Sequence, residues 1–280
     1  MGRRVSPPPA GAVALVTGAG RGLGLEIARL LARRGLAVHV TDADGVAAER
    51  AAADLGAEAF ASVLDVRDEE ACRAAARATA ERTGSLGVWG NNAGVVWTGF
   101  AWEQDDSSRR RTFEVNALGA VNGTIAALEL MRPANAGHVV NVASLAGLVA
   151  VPGEVLYAAT KHAAVAFSVG TLLDLRRAGV EGVHVSTVCP DGIWTPMLSD
   201  RLDDPHAAVS FSGTMLSPEH VAARAVSLLD RPRSILSVPR RRGALARLYD
   251  LFPGLELRSM GILLALGGRS QRRLKSRPAP

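Results

Sequence analysis

Tyr157 and Lys161 stand four residues apart in a segment with helical spacing, so a phenol and an ammonium share one face. An unperturbed tyrosine titrates near pH 10 and exchanges protons poorly at neutral pH. A neighbouring ammonium favours the phenolate, so the pair predicts a lowered phenol pKa and a general acid or base at Tyr157. The chain has two tyrosines, Tyr157 and Tyr249, and two lysines, Lys161 and Lys275, and otherwise uses arginine for positive charge. A compact, tunable ammonium is a different tool from a guanidinium, which argues that the lysine is there for its chemistry. Ser144 closes the apolar run Asn141-Val142-Ala143-Ser144, where a hydroxyl can polarise a carbonyl. A hydrolase reading fails: there is no G-x-S-x-G elbow, His138 precedes Ser144 on a strand, and His162 turns away from Tyr157.

A second cluster is built to hold phosphate. The run TGAGRGLG over residues 17–24 follows an apolar strand and opens a helix, so backbone N–H groups and a helix N-terminus converge on one point. In that setting the dinucleotide reading outweighs a plain tight turn. Asp42 ends the next strand, 18 residues after Gly24, where a carboxylate accepts from both ribose hydroxyls and repels a 2′-phosphate. That favours NAD over NADP; Arg21, a cation beside the same turn, is the opposing cue.

The elements that must position these groups alternate. Buried strands are predicted over 13–17, 37–41, 58–64, 88–91, 138–142, 184–188 and 234–238, most of them continuous apolar runs of the kind found in parallel sheets covered on both faces. Helical periods fill 23–34, 46–55, 69–82, 107–131, 155–177 and 218–229. The fold class is therefore α/β, a single doubly wound domain over 11–238 on a seven-stranded parallel sheet, with a basic and Pro-rich lead over 1–10 and a basic amphipathic helical extension over 239–280. Residues 196–217 interrupt the rhythm and are expected to form a substrate lid.

Composition sets limits on function. At 48% hydrophobic and 21% charged residues the chain has the make-up of a globular core, not of a solvated tail. Two cysteines, Cys72 and Cys189, are too few for a disulfide framework or a zinc site, which points to a reducing compartment and to no metal. Residues 1–230 hold 20 Lys and Arg against 25 Asp and Glu, a net −5, while 231–280 hold 12 against 2, a net +10. No apolar run is long enough for a membrane span or a signal sequence, so the cytoplasm is the expected location. Met1-Gly2 with Ser6 fits a loose acylation pattern that carries little weight.

Taken together, TGAGRGLG at 17–24, NNAG at 91–94, Ser144 and the Tyr157-Ala158-Ala159-Thr160-Lys161 run resemble the short-chain dehydrogenase/reductase family, in the right order and with Ser144 thirteen residues before Tyr157. The resemblance covers residues 10–238 and implies an NAD(P)-dependent oxidoreductase on a Rossmann-type sheet of order 3-2-1-4-5-6-7. It implies that Gly18, Arg21, Gly22, Leu23 and Gly24 lie at the pyrophosphate turn, that Asp65 and Val66 flank the adenine, and that Asn92, Ala93 and Gly94 abut the adenosine ribose. Pro190, Ile193 and Thr195 would meet the carboxamide, Lys161 would also bind the nicotinamide ribose, and Asn116, Ser144, Tyr157 and Lys161 would form a catalytic tetrad in which Asn116 holds a water.

The sequence departs from the family at Asp191, where Pro190 is usually followed by glycine, and Asp191 is expected to adopt a backbone conformation that side chains tolerate less readily. Leu145, Trp97, Trp194, Met197 and Leu198 predict an apolar pocket mouth and a hydrophobic secondary alcohol or ketone as substrate, with NAD as cofactor. The alternatives are an NADP-dependent ketone reductase and a non-catalytic dinucleotide-binding regulator, the latter disfavoured by the presence of both Tyr157 and Lys161. A homodimer or homotetramer through the helices over 107–131 and 155–177 is implied. The tail reads either as a helix packed on the body or as a peripheral contact with anionic membrane; nothing in it resembles a nucleic-acid module.

Overall fold

The computed structural model describes residues 12–276 of the 280 in the chain. The lead over 1–10 with its acylation pattern, and Arg277 of the terminal basic cluster, lie outside the described residues. Seven strands, β1 (Val13–Thr17), β2 (Ala37–Asp42), β3 (Ala59–Val63), β4 (Leu86–Asn91), β5 (Gly137–Val142), β6 (Val183–Pro190) and β7 (Ile235–Val238), form one sheet of order β3-β2-β1-β4-β5-β6-β7. Every pairing is parallel, as the uninterrupted apolar runs require.

Alternation along each strand divides the core in two. On one face Ala14 and Val16 of β1 pack with α1 (Gly22–Arg33), α2 (Gly45–Leu55) and α8 (Pro218–Val226). On the other Leu15 packs with α3 (Glu69–Thr83), α5 (Gly119–Ala134) and the end of α6 (Val155–Arg177). Asp44, Asp68 and Asp105 cap α2, α3 and α4 (Asp106–Phe113), which fixes where those helices begin.

One helix differs from the sequence expectation, and two expected segments gain detail. The single helix expected over 107–131 is α4 and α5 joined by one π-helical turn, Glu114–Leu118, with Asn116 on it. Such an inserted residue shifts the register of a helix and is common at functional sites. The segment over 196–217, expected to form a lid and called so below, contains a short helix, α7 (Pro196–Ser199), and a 3-10 segment, Pro205–Phe211. The tail forms α9 (Arg240–Leu251) and α10 (Pro253–Lys275), and α10 lies on the lid. Contact is close enough that a Cβ at Gly267 would fall 1.7 Å from the Ala208 carbonyl oxygen, so only glycine fits the crossing. Gln271 Nε2 donates to the carbonyl of Asp204 at 2.8 Å and Lys275 pairs with Asp203. Of the two readings of the tail, packing on the body describes this face of α10.

Candidate active site

The carboxyl ends of β1, β4, β5 and β6 open into a cavity of about 710 Å³, within the range of roughly 300–1,000 Å³ common for small-molecule sites. β1 and β4 are neighbours in the sheet although β2 and β3 intervene in the chain, and this reversal of direction leaves a crevice above their ends. Gly18, Arg21, Gly22, Leu23 and Asp42 line it over β1 and β2, followed by Asp65, Val66, Asn92, Ala93 and Gly94. Gly18 and Gly22 have φ of +60° and +59°, the left-handed region that glycine enters freely. Asn92 Nδ2 donates to the carbonyls of Thr17 and Gly18, holding the turn against β4.

Gly24 does not line the cavity. A Cβ there would lie 2.3 Å from the Gly18 carbonyl oxygen, so this glycine lets α1 pack closely on the turn. Asp42 Oδ2 accepts from the Gly20 N–H at 3.0 Å and Oδ1 from the Asp44 N–H, which aims the carboxylate along the rim and leaves a lone pair on each oxygen. Asp65 is held by Arg67, whose hydrogen bonds keep its carboxyl below the ordinary range. The glycine turn, the free N–H groups at the start of α1 and the oriented Asp42 fit a dinucleotide.

Ser144, Leu145, Tyr157 and Lys161 line the same cavity. Lys161 lies on the stripe of α6 that carries Ala164 and Ser168 into the body, so its stem is in the core and only 4% of the residue is exposed. Its Nζ donates to the Val142 carbonyl at 3.0 Å and stands 5.5 Å from the centre of the Tyr157 ring. Burial pushes the ammonium down to about 8. Ser144 is placed by β5 and by the 3-10 turn Leu145–Gly147 that follows, whose Ala146 N–H donates to Ser144 Oγ.

The expected lowering of the Tyr157 pKa is not what the structure shows. Burial pushes the phenol above its ordinary value, Glu154 adds to the rise, and the Ser144 hydroxyl acts against it. The largest cause is burial, because a desolvated phenolate is costly.

Asn116 is buried and absent from the cavity wall. Its Oδ1 accepts from Val95 N–H, while Nδ2 donates to the Val95 carbonyl and to Thr160 Oγ1. It ties the loop after β4 to α6, next to Lys161, and is a positioning residue in this arrangement.

Pro190, Ile193 and Thr195 line the cavity, as do Trp97, Met197 and Leu198 at its mouth, but Trp194 does not. Ile193 bridges to Leu216, and the chain here is extended, so side chains alternate: Ile193 and Thr195 face inward and Trp194 the other way. Asp191 also departs from expectation, because its φ is not positive. Its N–H donates to the Val238 carbonyl, and its carboxylate accepts from Arg242 Nε at 2.8 Å; Arg242 in turn reaches Ser212 Oγ. The aspartate joins the end of β6 to α9 and the lid.

Several lining residues were not singled out from sequence: Glu154, Arg201 and Ser210, and from the tail Tyr249, Glu256 and Met260. Glu154 carried one signal, an acid three residues ahead of the tyrosine. Those on the tail carried none, since their place depends on how α9 and α10 pack on the body. Among the described residues no cluster of His, Cys, Asp and Glu is arranged to hold a metal ion, and no helix is long and apolar enough to cross a membrane.

Residues 12–206 match the family profile described as short chain dehydrogenase. Estradiol 17-beta-dehydrogenase 11 of Mus musculus is 33% identical over 247 residues, 87% of this chain and 80% of that protein. Cyclopentanol dehydrogenase of a Comamonas species is 34% identical over 207 residues, 73% of this chain and 82% of its own. A crystal structure of a short chain dehydrogenase/reductase from Burkholderia phymatum in complex with NAD superposes with a TM-score of 0.79 at 30% identity, over 88% of this chain and 95% of the other.

Proposed function

Because this chain belongs to the short-chain dehydrogenase/reductase family, an oxidoreductase family that binds NAD(P) on this fold, we propose that its cavity interconverts a hydrophobic secondary alcohol and the ketone, with NAD as the preferred cofactor and Tyr157 as the acid/base. The observation that carries this reading is the meeting of Ser144, Tyr157 and Lys161 in one cavity with the glycine turn. Nicotinamide, when bound, supplies the hydride acceptor or donor. The protein's part is proton transfer and charge stabilisation: Tyr157 takes the hydroxyl proton in oxidation and returns it in reduction, and Ser144 Oγ donates to the substrate oxygen. Lys161 supplies the positive charge that a phenolate needs once substrate displaces water around it. Asp42 supports NAD, because its carboxylate is already oriented at the rim and repels a 2′-phosphate.

The direct test follows absorbance at 340 nm with NAD and with NADP over a panel of cyclic secondary alcohols. Tyr157→Phe is expected to lower kcat/KM by about 10²–10⁴; activity retained in that variant, or a preference for NADP, contradicts the assignment concerned.

Assembly and location form part of the same proposal. Phe113, Leu118 and Leu173 are exposed on α4, the π turn and α6, which suits a homo-oligomer through these helices; a monomer by light scattering excludes it. Cys72 and Cys189 are free thiols in the core, in keeping with the cytoplasm, where cell fractionation is to find the protein. The outer face of α10 exposes Leu255, Ile262 and Leu266 beside Arg258, Arg269 and Arg273, a combination that suits peripheral contact with an anionic bilayer. Vesicles with and without phosphatidylserine test this, equal sedimentation of the full chain with both refuting it.

A further inference from the structure

Glu154 immediately precedes α6 and stands three residues before Tyr157. A glutamate at a helix start ordinarily faces water or the free helix N–H groups. This one does neither: it makes no capping bond, is 3% exposed and lines the cavity. The turn before it explains why. Gly153 has φ +82°, a Cβ there would fall 2.2 Å from the His206 carbonyl oxygen, and the Gly99 N–H donates to the Gly153 carbonyl. The chain is thereby pinned between the lid and the loop after β4, and the carboxyl turns inward.

Ser210 Oγ, on the lid, donates to Glu154 Oε1 at 2.7 Å, and among the described residues that is the carboxyl's only hydrogen bond. An ionised carboxylate accepts about four, so the second oxygen, which belongs to a residue on the cavity wall, can accept from a group bound there. Ala146, Val151, Ala158 and Val209 pack around Tyr157 and supply no polar group. The charged and titratable groups that face Glu154 are Arg201 and Asp204 from the lid and Tyr157 from α6.

Resting on the reading of this cavity as the alcohol site, we propose that Glu154 is a specificity-determining residue: its free carboxyl oxygen accepts a hydrogen bond from a second hydroxyl of the substrate, which is therefore a hydrophobic secondary alcohol, or the matching ketone, carrying another hydroxyl group. A neutral hydroxyl suits the site better than an ammonium, because the Arg201 guanidinium already acts on Glu154 and lines the same cavity. Burial raises the carboxyl to about 7, so both protonation states are populated near neutral pH, and both accept from a hydroxyl.

The experiment compares kcat/KM for matched substrates with NAD: cyclohexanol, the 1,2-, 1,3- and 1,4-cyclohexanediols, and each diol as its mono-O-methyl ether. The wild type is expected to favour one diol over cyclohexanol, and over its own methyl ether, by about 10- to 100-fold, since the ether keeps the oxygen but loses the donor. That comparison needs no variant. In Glu154→Leu the diol preference is expected to fall to about one, with partial recovery in Glu154→Gln, which keeps an acceptor oxygen. Equal rates for diol and ether in the wild type, or a preference that survives in Glu154→Leu, overturn the assignment and leave water as the only partner of the carboxyl. Absence of turnover with every alcohol overturns it too, but by removing the alcohol site on which it rests.

Discussion

Replacing Glu154 with glutamine keeps the volume of the side chain and an acceptor for Ser210 Oγ while removing a proton equilibrium from the site. In the folded protein burial raises this carboxyl from 4.5 to about 7, with Ser210 and Arg201 acting in the other direction. In the unfolded chain it returns to its ordinary value. Between the two values the folded state binds the extra proton, so stability contributed by this group is complete below pH 4.5 and is lost as pH rises through about 7. The residue is 3% exposed, so the effect is not discounted for solvent screening. At about 1.4 kcal/mol per pH unit, the wild type loses about 2–3 kcal/mol between pH 5 and 8 that the glutamine variant keeps.

For a chain of this size about 2 °C accompanies each kcal/mol, so Tm of Glu154→Gln relative to wild type is expected to climb by about 5 °C over that interval. Scanning calorimetry or fluorimetry of both proteins in one buffer series reads it. Subtraction removes the groups they share, including Lys161. Parallel Tm curves, or a gap that shrinks as pH rises, refute the claim that this carboxyl is buried and raised.

Two substitutions probe the scaffold of the site. In Gly24→Ala the new Cβ would stand 2.3 Å from the Gly18 carbonyl oxygen and 2.5 Å from Asn92 Nδ2, so the turn must move and NAD affinity is expected to fall at least about tenfold; an unchanged Kd by calorimetric titration counts against the packing argument. Arg242→Met removes the partner of the buried Asp191 carboxylate and the bond to Ser212, which is expected to cost about 1–3 kcal/mol, raise KM for bulky alcohols more than for NAD, and speed proteolysis within 196–212. Identical KM values and digestion rates would show that the lid is held without it.

The sheet was legible because each parallel strand announces itself as a short apolar run between glycine or aspartate punctuation, and the two faces follow from alternation alone. That Tyr157 and Lys161 reach one cavity was legible for a similar reason, since a spacing of four on a helix fixes which side chains share a face. The sequence pattern runs one helix straight through Asn116, whereas the π turn that carries it lies against Val95 and Thr160 from distant segments. Trp194 was misplaced by one step of strand alternation. At Asp191 the family pattern suggested a backbone difficulty, whereas the side chain meets an arginine 51 residues away.

The interruption over 196–217 and the helical extension over 239–280 were legible, but where they lie was not, on stronger physical grounds. A strand's partners are other strands with the same periodic signal, but the lid is fixed by single bonds from unrelated places: Arg201 to the Val96 carbonyl, Asp204 to Thr98, Ser210 to Glu154 and Ser212 to Arg242. None leaves a periodic trace in sequence. α10 then closes over this assembly through Gly267 and Gln271, and brings Met260 and Glu256 to the cavity wall. The groups proposed for proton transfer sit on rigid elements readable from local pattern, while the residues at the cavity mouth and from the tail sit on elements whose position exists only in the assembled fold. Substitutions in α10 that leave Ser144, Tyr157 and Lys161 untouched are therefore expected to change which alcohol is accepted before they change the rate of its oxidation, a split that KM against kcat across the diol and bulky-alcohol panels resolves.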